Sequence, residues 1–109
     1  MALSIEEKSA LLHFKAGLKQ ALGAQLIELK LFGSKARGDD QPNSDMDVLV
    51  IVATDDWHIR DEVYDVATDI LLEMDVCISP KVISNSRFVQ LCKEGTSFIH
   101  NISKDAITV

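Results

Sequence analysis

The 109-residue sequence is short of cysteine, of long apolar runs and of positive charge. Its two cysteines, Cys77 and Cys92, lie in apolar stretches without the spacing of a metal site, so we expect reduced core thiols in a cytoplasmic protein. No apolar run approaches the roughly 18 residues that span a membrane. The opening MALSIEEKSALL becomes acidic at once, and we therefore expect no secretory or transit signal.

The charge balance restricts the partners of the chain. Lysine and arginine number 11 against 17 aspartates and glutamates, which gives a formal net charge of −6. Non-specific binding to nucleic acid needs clustered bases to neutralise phosphates, so we expect no direct nucleic-acid binding. A small anion, held by local donors or a bridging metal, or a protein partner is the expected ligand.

The length predicts one domain over residues 1–109, without repeats or linkers. Ser4 and Glu7 have the form of a capping box at the start of an N-terminal helix. The next segment, QLIELKLF, alternates in polarity, which predicts a strand with one buried face. The residues of that face are Ile27, Leu29 and Leu31.

The middle of the chain predicts two more strands around a long helix. The run MDVLVIVA does not alternate, which is typical of a strand covered on both faces. A helix from Asp55 to Met74 is predicted to be capped by Asp55-Asp56. DVCISPKVI predicts a third strand in which pairing stops near Pro80. Two short helices are predicted from Phe88 to Lys93 and from Thr96 to Lys104.

The order of these elements predicts an α/β (α+β) domain, with a small mixed sheet of about three strands and helices packed on it. A close connection favours an antiparallel pairing of the first two strands. The long helix before the third strand fits a right-handed crossover to a parallel neighbour.

Two aspartates directly precede the apolar run VLVIV. Residues two apart in a strand share a face, so Asp45 and Asp47 are predicted to project together while Met46 turns away. Neighbouring carboxylates repel one another, and Mg²⁺ or Mn²⁺ between them would turn this cost into an attraction. Taken alone, the pair also fits a solvated acidic turn.

A small-residue turn precedes the aspartates. Gly33-Ser34 breaks the first strand and is expected to open a short helix in SKARG, whose free N–H groups and serine hydroxyl make an anion site. Lys35 and Arg37 lie in the same turn, and Arg37 could reach phosphate oxygens through two donors. A Gly-Ser turn with two solvated bases is the alternative.

Asp75, in EMDVCIS, is predicted at the start of the third strand. Read by itself, it could instead be a helix C-terminal or strand-edge aspartate. Together with Asp45 and Asp47 it would form three converging carboxylates beside a phosphate cradle. That combination is typical of metal-assisted phosphoryl or nucleotidyl transfer.

These residues resemble a known family. The segment GSKARGDDQPNSDMD matches the G-S-x-A-R-G-x5-S-D-x-D signature of the DNA polymerase β-like nucleotidyltransferase superfamily at every fixed position. The chain looks most like the single-domain minimal nucleotidyltransferases, over a stretch from about Leu22 to Ile83.

The resemblance implies roles for the matching residues. Those that would bind the nucleotide, ATP, are Gly33, Ser34, Lys35, Arg37 and Ser44. Those that would be catalytic and hold one or two Mg²⁺ ions are Asp45, Asp47 and Asp75. Asp75 would also act as general base on the attacking hydroxyl, and pyrophosphate would leave.

The resemblance also implies a partner. Minimal nucleotidyltransferases are commonly paired with a helical HEPN toxin as its antitoxin, and some transfer AMP to a tyrosine of that toxin. We therefore expect a cytoplasmic adenylyltransferase in a hetero-oligomer with a HEPN toxin, without a membrane partner. Two alternatives stay open: an antitoxin that neutralises by binding alone, and a small-molecule nucleotidyltransferase.

Overall fold

The computed structural model describes residues 3–33, 45–97, 100 and 106–109. Three α-helices and four strands are described in full in these ranges, and they confirm the predicted α+β class with a mixed sheet. In chain order they are α1 (Ile5–Leu22), a 3-10 turn (Gly23–Gln25), β1 (Leu26–Phe32), β2 (Met46–Val52), α2 (Trp57–Met74), β3 (Ile78–Ser84), α3 (Asn85–Glu94) and β4 (Ile107–Thr108).

The sheet has the strand order β3-β2-β1-β4. β1 pairs antiparallel with both β2 and β4, and β2 pairs parallel with β3, with α2 as the crossover between them. Both predicted pairings are confirmed, and the two-residue β4 adds a fourth strand to the three expected. None of the helices in the described ranges combines the length and apolar character that crossing a bilayer requires.

The starts of α1 and α2 have their predicted capping residues, whereas α3 starts at Asn85, three residues before the predicted Phe88. The Ser4 hydroxyl accepts from the Glu7 N–H at 3.1 Å, and the Glu7 carboxylate accepts from the Ser4 N–H at 3.0 Å. The Asp56 carboxylate accepts from the Ile59 N–H at 3.0 Å and caps α2. Each cap satisfies backbone donors that the first helical turn leaves unpaired. The predicted helix from Thr96 to Lys104 lies mostly outside the described residues, although Ser97 and His100 are helical.

β2 is covered on both faces, as predicted. On its core face, formed by Met46, Val48, Val50 and Val52, the side chains join one buried cluster with α1 and α2. The opposite face, which we call the aspartate face, carries Asp45, Asp47, Leu49 and Ile51. Its last two residues pack in a smaller cluster with Phe32, Ile83, Phe88 and Ala106. The helices α1 and α2 therefore lie on one side of β2 and the aspartates on the other.

Two details of the strands differ from the prediction. Ile27 is 50% exposed, because the pairing of β1 with β2 shifts register between Leu26 and Glu28. β3 continues through Pro80 to Ser84, and both residues pair with β2.

Pro80 is compatible with the middle of β3 because β3 is an edge strand. The Cys77 carbonyl accepts from the Met46 N–H at 3.1 Å, so alternate residues of β3 turn their backbone groups toward β2 and the Pro80 nitrogen faces away. The prediction of core thiols is also wrong, since Cys77 and Cys92 are both free and exposed.

Candidate active site

The two aspartates lie at the start of β2, on the face opposite Met46. Met46 is fully buried in the core, and the alternation of the strand therefore turns Asp45 and Asp47 away from the core together. Asp45 is exposed and Asp47 is partly buried. A slip of one residue would exchange the two faces, so the burial of Met46 fixes the orientation of both carboxylates.

Asp47 lies between two neighbouring strands. Across the antiparallel pair its partner is Phe32, and across the parallel pair its partner is Ser79. Residues paired in this way have their side chains on the same face, about 5 Å apart. The immediate surroundings of Asp47 are therefore an aromatic ring on β1 and a hydroxyl on β3.

Gly33 ends β1 directly beside Asp47. Its φ is 78°, in the left-handed region, and a Cβ built at this position would lie 2.5 Å from the Asp47 Oδ2. Both the backbone conformation and the contact with the carboxylate therefore favour glycine here. The predicted closeness of the glycine turn to the D-x-D pair is observed at this position.

Cys77 is a neighbour of Asp45 that the sequence analysis missed. Partial desolvation of the thiol, which is otherwise exposed, together with the hydrogen bond and charge of the Asp45 carboxylate, raises the pKa of Cys77. At neutral pH the thiol is protonated and adds no charge to the site. The parallel register of β3 could have revealed it, since Cys77 precedes β3 just as Asp45 precedes β2.

Asp75 does not lie at the start of a strand, so that prediction is wrong. It ends α2 in the left-handed conformation (φ 57°, ψ 34°), its N–H donates to the Leu71 carbonyl at 3.0 Å, and it is exposed. Aspartate tolerates this conformation better than most residues. The alternative of a helix C-terminal aspartate is the one observed, three residues before β3 begins at Ile78.

Asp45 and Asp47 lie on the same side of β2, but the structure does not assemble the predicted trio. Among residues 3–33, 45–97, 100 and 106–109, no three His, Cys, Asp or Glu side chains are grouped so that they could hold a metal ion. The part assigned to Asp75 in catalysis stays a prediction. So do the nucleotide contacts of Ser34, Lys35, Arg37 and Ser44, which lie outside the described residues.

The described residues nevertheless fit a divalent cation. Two like-charged carboxylates point to one side of the strand, and the absence of a side chain at Gly33 lets the Asp47 carboxylate lie directly against the turn. Magnesium is commonly held by one or two protein carboxylates together with phosphate oxygens of a substrate. The pair therefore suits Mg²⁺ that binds together with a nucleotide.

The chain is similar to known proteins over most of its length. A protein-family model described as "Polymerase beta, Nucleotidyltransferase" matches residues 18–109. A protein of Methanocaldococcus jannaschii, named "Putative protein adenylyltransferase", is 33% identical over 101 residues, which cover 93% of this chain and 95% of that protein.

Two solved structures have a similar fold. One, described as a toxin-antitoxin with AMP-PNP, matches 87% of this chain and 68% of its own with a TM-score of 0.52 at 19% identity. Another, a mutant of the toxin-antitoxin MntA-HpeT, matches 97% of this chain and 72% of its own with a TM-score of 0.56 at 18% identity. These two likenesses concern the fold. The family match and the archaeal relative, each extending over most of the chain, show that it belongs to the polymerase beta nucleotidyltransferases.

Proposed function

We propose that this nucleotidyltransferase is an antitoxin. It transfers AMP from ATP to the hydroxyl of a tyrosine in a partner HEPN toxin. The observation that carries the proposal is the pair Asp45 and Asp47, which share one face of β2 beside the Gly33 turn. The archaeal relative named as a protein adenylyltransferase supports transfer of AMP to a protein.

The binding residues would divide between the strand and the turn before it. Asp45 and Asp47 would hold Mg²⁺, and the Gly33-Ser34 turn would bind the phosphates of ATP through backbone N–H groups. Lys35, Arg37 and Ser44 would add donors to the same phosphates. When bound, Mg²⁺ supplies positive charge that offsets the negative charge of the phosphates in the ground state and in the transition state.

The reaction is a displacement at the α-phosphorus of ATP. The tyrosine oxygen forms a bond to that phosphorus while the bond to the bridging oxygen breaks, and pyrophosphate leaves. The proton of the tyrosine hydroxyl passes to a base, the part that the family resemblance implies for Asp75. In this scheme the buried Met46 holds β2 in register, and the register directs both aspartate carboxylates toward the bound cation.

A protein acceptor is supported by the acidity of the chain and by its structural neighbours. The net charge of −6 favours association with a basic protein over association with nucleic acid. Both similar structures are described as toxin-antitoxin complexes, and one contains an ATP analogue. We therefore propose a hetero-oligomer with the toxin in the cytoplasm, where ATP is available and free thiols such as Cys77 and Cys92 stay reduced.

The test is to mix the protein with ATP, Mg²⁺ and the product of the neighbouring gene, and to weigh both proteins intact. We expect the toxin to gain one or more adenylyl groups, and the gain to vanish with Asp45→Asn and with Asp47→Asn. Absence of a gain with each of the four nucleoside triphosphates would contradict the proposal. An Asp45→Asn variant that still protects cells from the toxin would favour neutralisation by binding alone.

A further inference from the structure

The position beside Asp47 on β3 is filled by a serine. The parallel register pairs Asp47 with Ser79, and the two strands run about 5 Å apart. Paired residues share a face, so the Ser79 hydroxyl lies on the aspartate face of the sheet. Ser79 is partly buried, and within the described part of the chain its hydroxyl is without a hydrogen-bond partner. It is therefore available to a ligand of Asp47.

Asp75 does not lie on β3 beside Asp47 as Ser79 does. Cys77 is the β3-side residue level with Asp45, since its carbonyl accepts from the N–H of Met46. Asp75 precedes Cys77 by two residues and belongs to the end of α2, where its left-handed backbone turns the chain before β3 begins. Asp75 is exposed, and within the described ranges it does not join Asp45 and Asp47 in a group of three side chains that could hold a metal ion.

We propose that Ser79, and not Asp75, is the β3 side chain of the cation site. The site would then hold its cation through two carboxylates and a neutral hydroxyl. The inference rests on the proposed function in one respect, that Asp45 and Asp47 bind a divalent cation. Its consequence is weak binding of the cation alone and strong binding only together with nucleotide phosphates, because fewer charged ligands lower the affinity for a hard cation.

The experiment is a titration of the full chain with Mn²⁺, with free Mn²⁺ measured by electron paramagnetic resonance, in the absence of nucleotide. Ser79→Asp adds a third carboxylate beside Asp47, and we expect it to lower the Kd for Mn²⁺ about tenfold or more. Thr68→Asp is the matched control, because it adds the same charge on an exposed position of α2. We expect Thr68→Asp and Asp75→Asn to leave the Kd within about twofold.

A second readout and a double variant separate the possible failures. Mn²⁺ should raise the Tm of Ser79→Asp more than that of the wild type, and adding Asp47→Asn should remove this gain. If Ser79→Asp behaves as Thr68→Asp does, or if Asp75→Asn weakens binding as Asp47→Asn does, the assignment of Ser79 is overturned. If neither Asp47→Asn nor Asp45→Asn weakens Mn²⁺ binding in any background, the cation pair itself is wrong and the proposed function fails with it.

Discussion

The core face of β2 and the aspartate face of the same strand differ from one residue to the next. Met46, Val48 and Val50 are fully buried against α1 and α2, where the exclusion of apolar surface from water stabilises the fold. The aspartate face begins with two carboxylates and is apolar only from Leu49 onward, where Phe88 of α3 covers it. Alternate residues of β2 thus serve the stability of the fold and the proposed chemistry. Variants on the core face should therefore change the free energy of unfolding, and variants of the two aspartates should change the transfer rate.

The largest effect is expected on the aspartate face. Asp47→Asn removes one charge of the pair at nearly constant volume, and we expect the rate of adenylyl transfer to fall about 10³-fold or more, equivalent to ~4 kcal/mol. The free energy of unfolding should change by less than ~1 kcal/mol, because the loss of one charge also relieves the repulsion between the carboxylates. Transfer rates and urea unfolding of the same preparation would check both. If Asp47→Asn unfolds so much of the protein that the loss of folded molecules explains the lost rate, the two faces do not have separate roles.

The next effect belongs to the core face. Val50→Ala deletes two buried methyl groups, and we expect a loss of about 2–3 kcal/mol in the free energy of unfolding. The transfer rate per folded molecule should stay within about threefold, since Val50 faces away from the carboxylates. Val48→Ala, one alternation closer to Asp47, provides the matched comparison. A selective loss of activity in Val48→Ala would show that packing under the site positions the aspartate.

Gly33 tests the contact between the turn and the aspartate face. Gly33→Ala places a methyl group 2.5 Å from the Asp47 Oδ2 and forces an alanine into φ 78°, so we expect it to cost about 1–3 kcal/mol and to lower the transfer rate. Gly95→Ala is the control, because Gly95 has a similar φ of 65° and no described residue lies within 4 Å of the added Cβ. Equal losses of activity in the two variants would show that backbone strain, and not the contact with Asp47, is responsible.

The parts of the fold that were predictable depend on local signals. The capping box of Ser4 and Glu7 and the cap at Asp56 are decided within a few residues, and both are observed. The common face of Asp45 and Asp47 follows from the period of a strand.

The predictions that failed depend on how distant segments pair. Ile27 is exposed by a register shift between two strands, and Pro80 lies within β3 because β3 is an edge strand of the sheet formed by the described residues. The prediction that Asp75 begins a strand rests on the apolar residues that follow it, but Asp75 is the C-cap of α2 and β3 begins only at Ile78. The same limitation hid Ser79 and Cys77, whose positions beside the aspartates come from the parallel register.

The smallest effect is expected just beyond the other end of β2, where Asp55 is paired with a cation. Both Asp55 oxygens accept from the Arg60 guanidinium at 2.7 Å, and this hydrogen bonding, more than the charge of Arg60, lowers the pKa of Asp55 from its ordinary 3.8. A lowered folded-state pKa stabilises the protein at pH values above 3.8, and the contribution disappears as the pH falls through the folded value. Because the pair is partly exposed, we expect Asp55→Asn to lower the free energy of unfolding by less than ~1 kcal/mol at pH 7, and the difference from wild type to shrink on acidification.

Urea unfolding of both proteins between pH 7 and pH 3 would measure this difference, and we expect the transfer activity at pH 7 to be unchanged. A difference that grows toward low pH would contradict the direction of the shift. A fall in transfer activity at pH 7 would mean that the two ends of β2 are coupled.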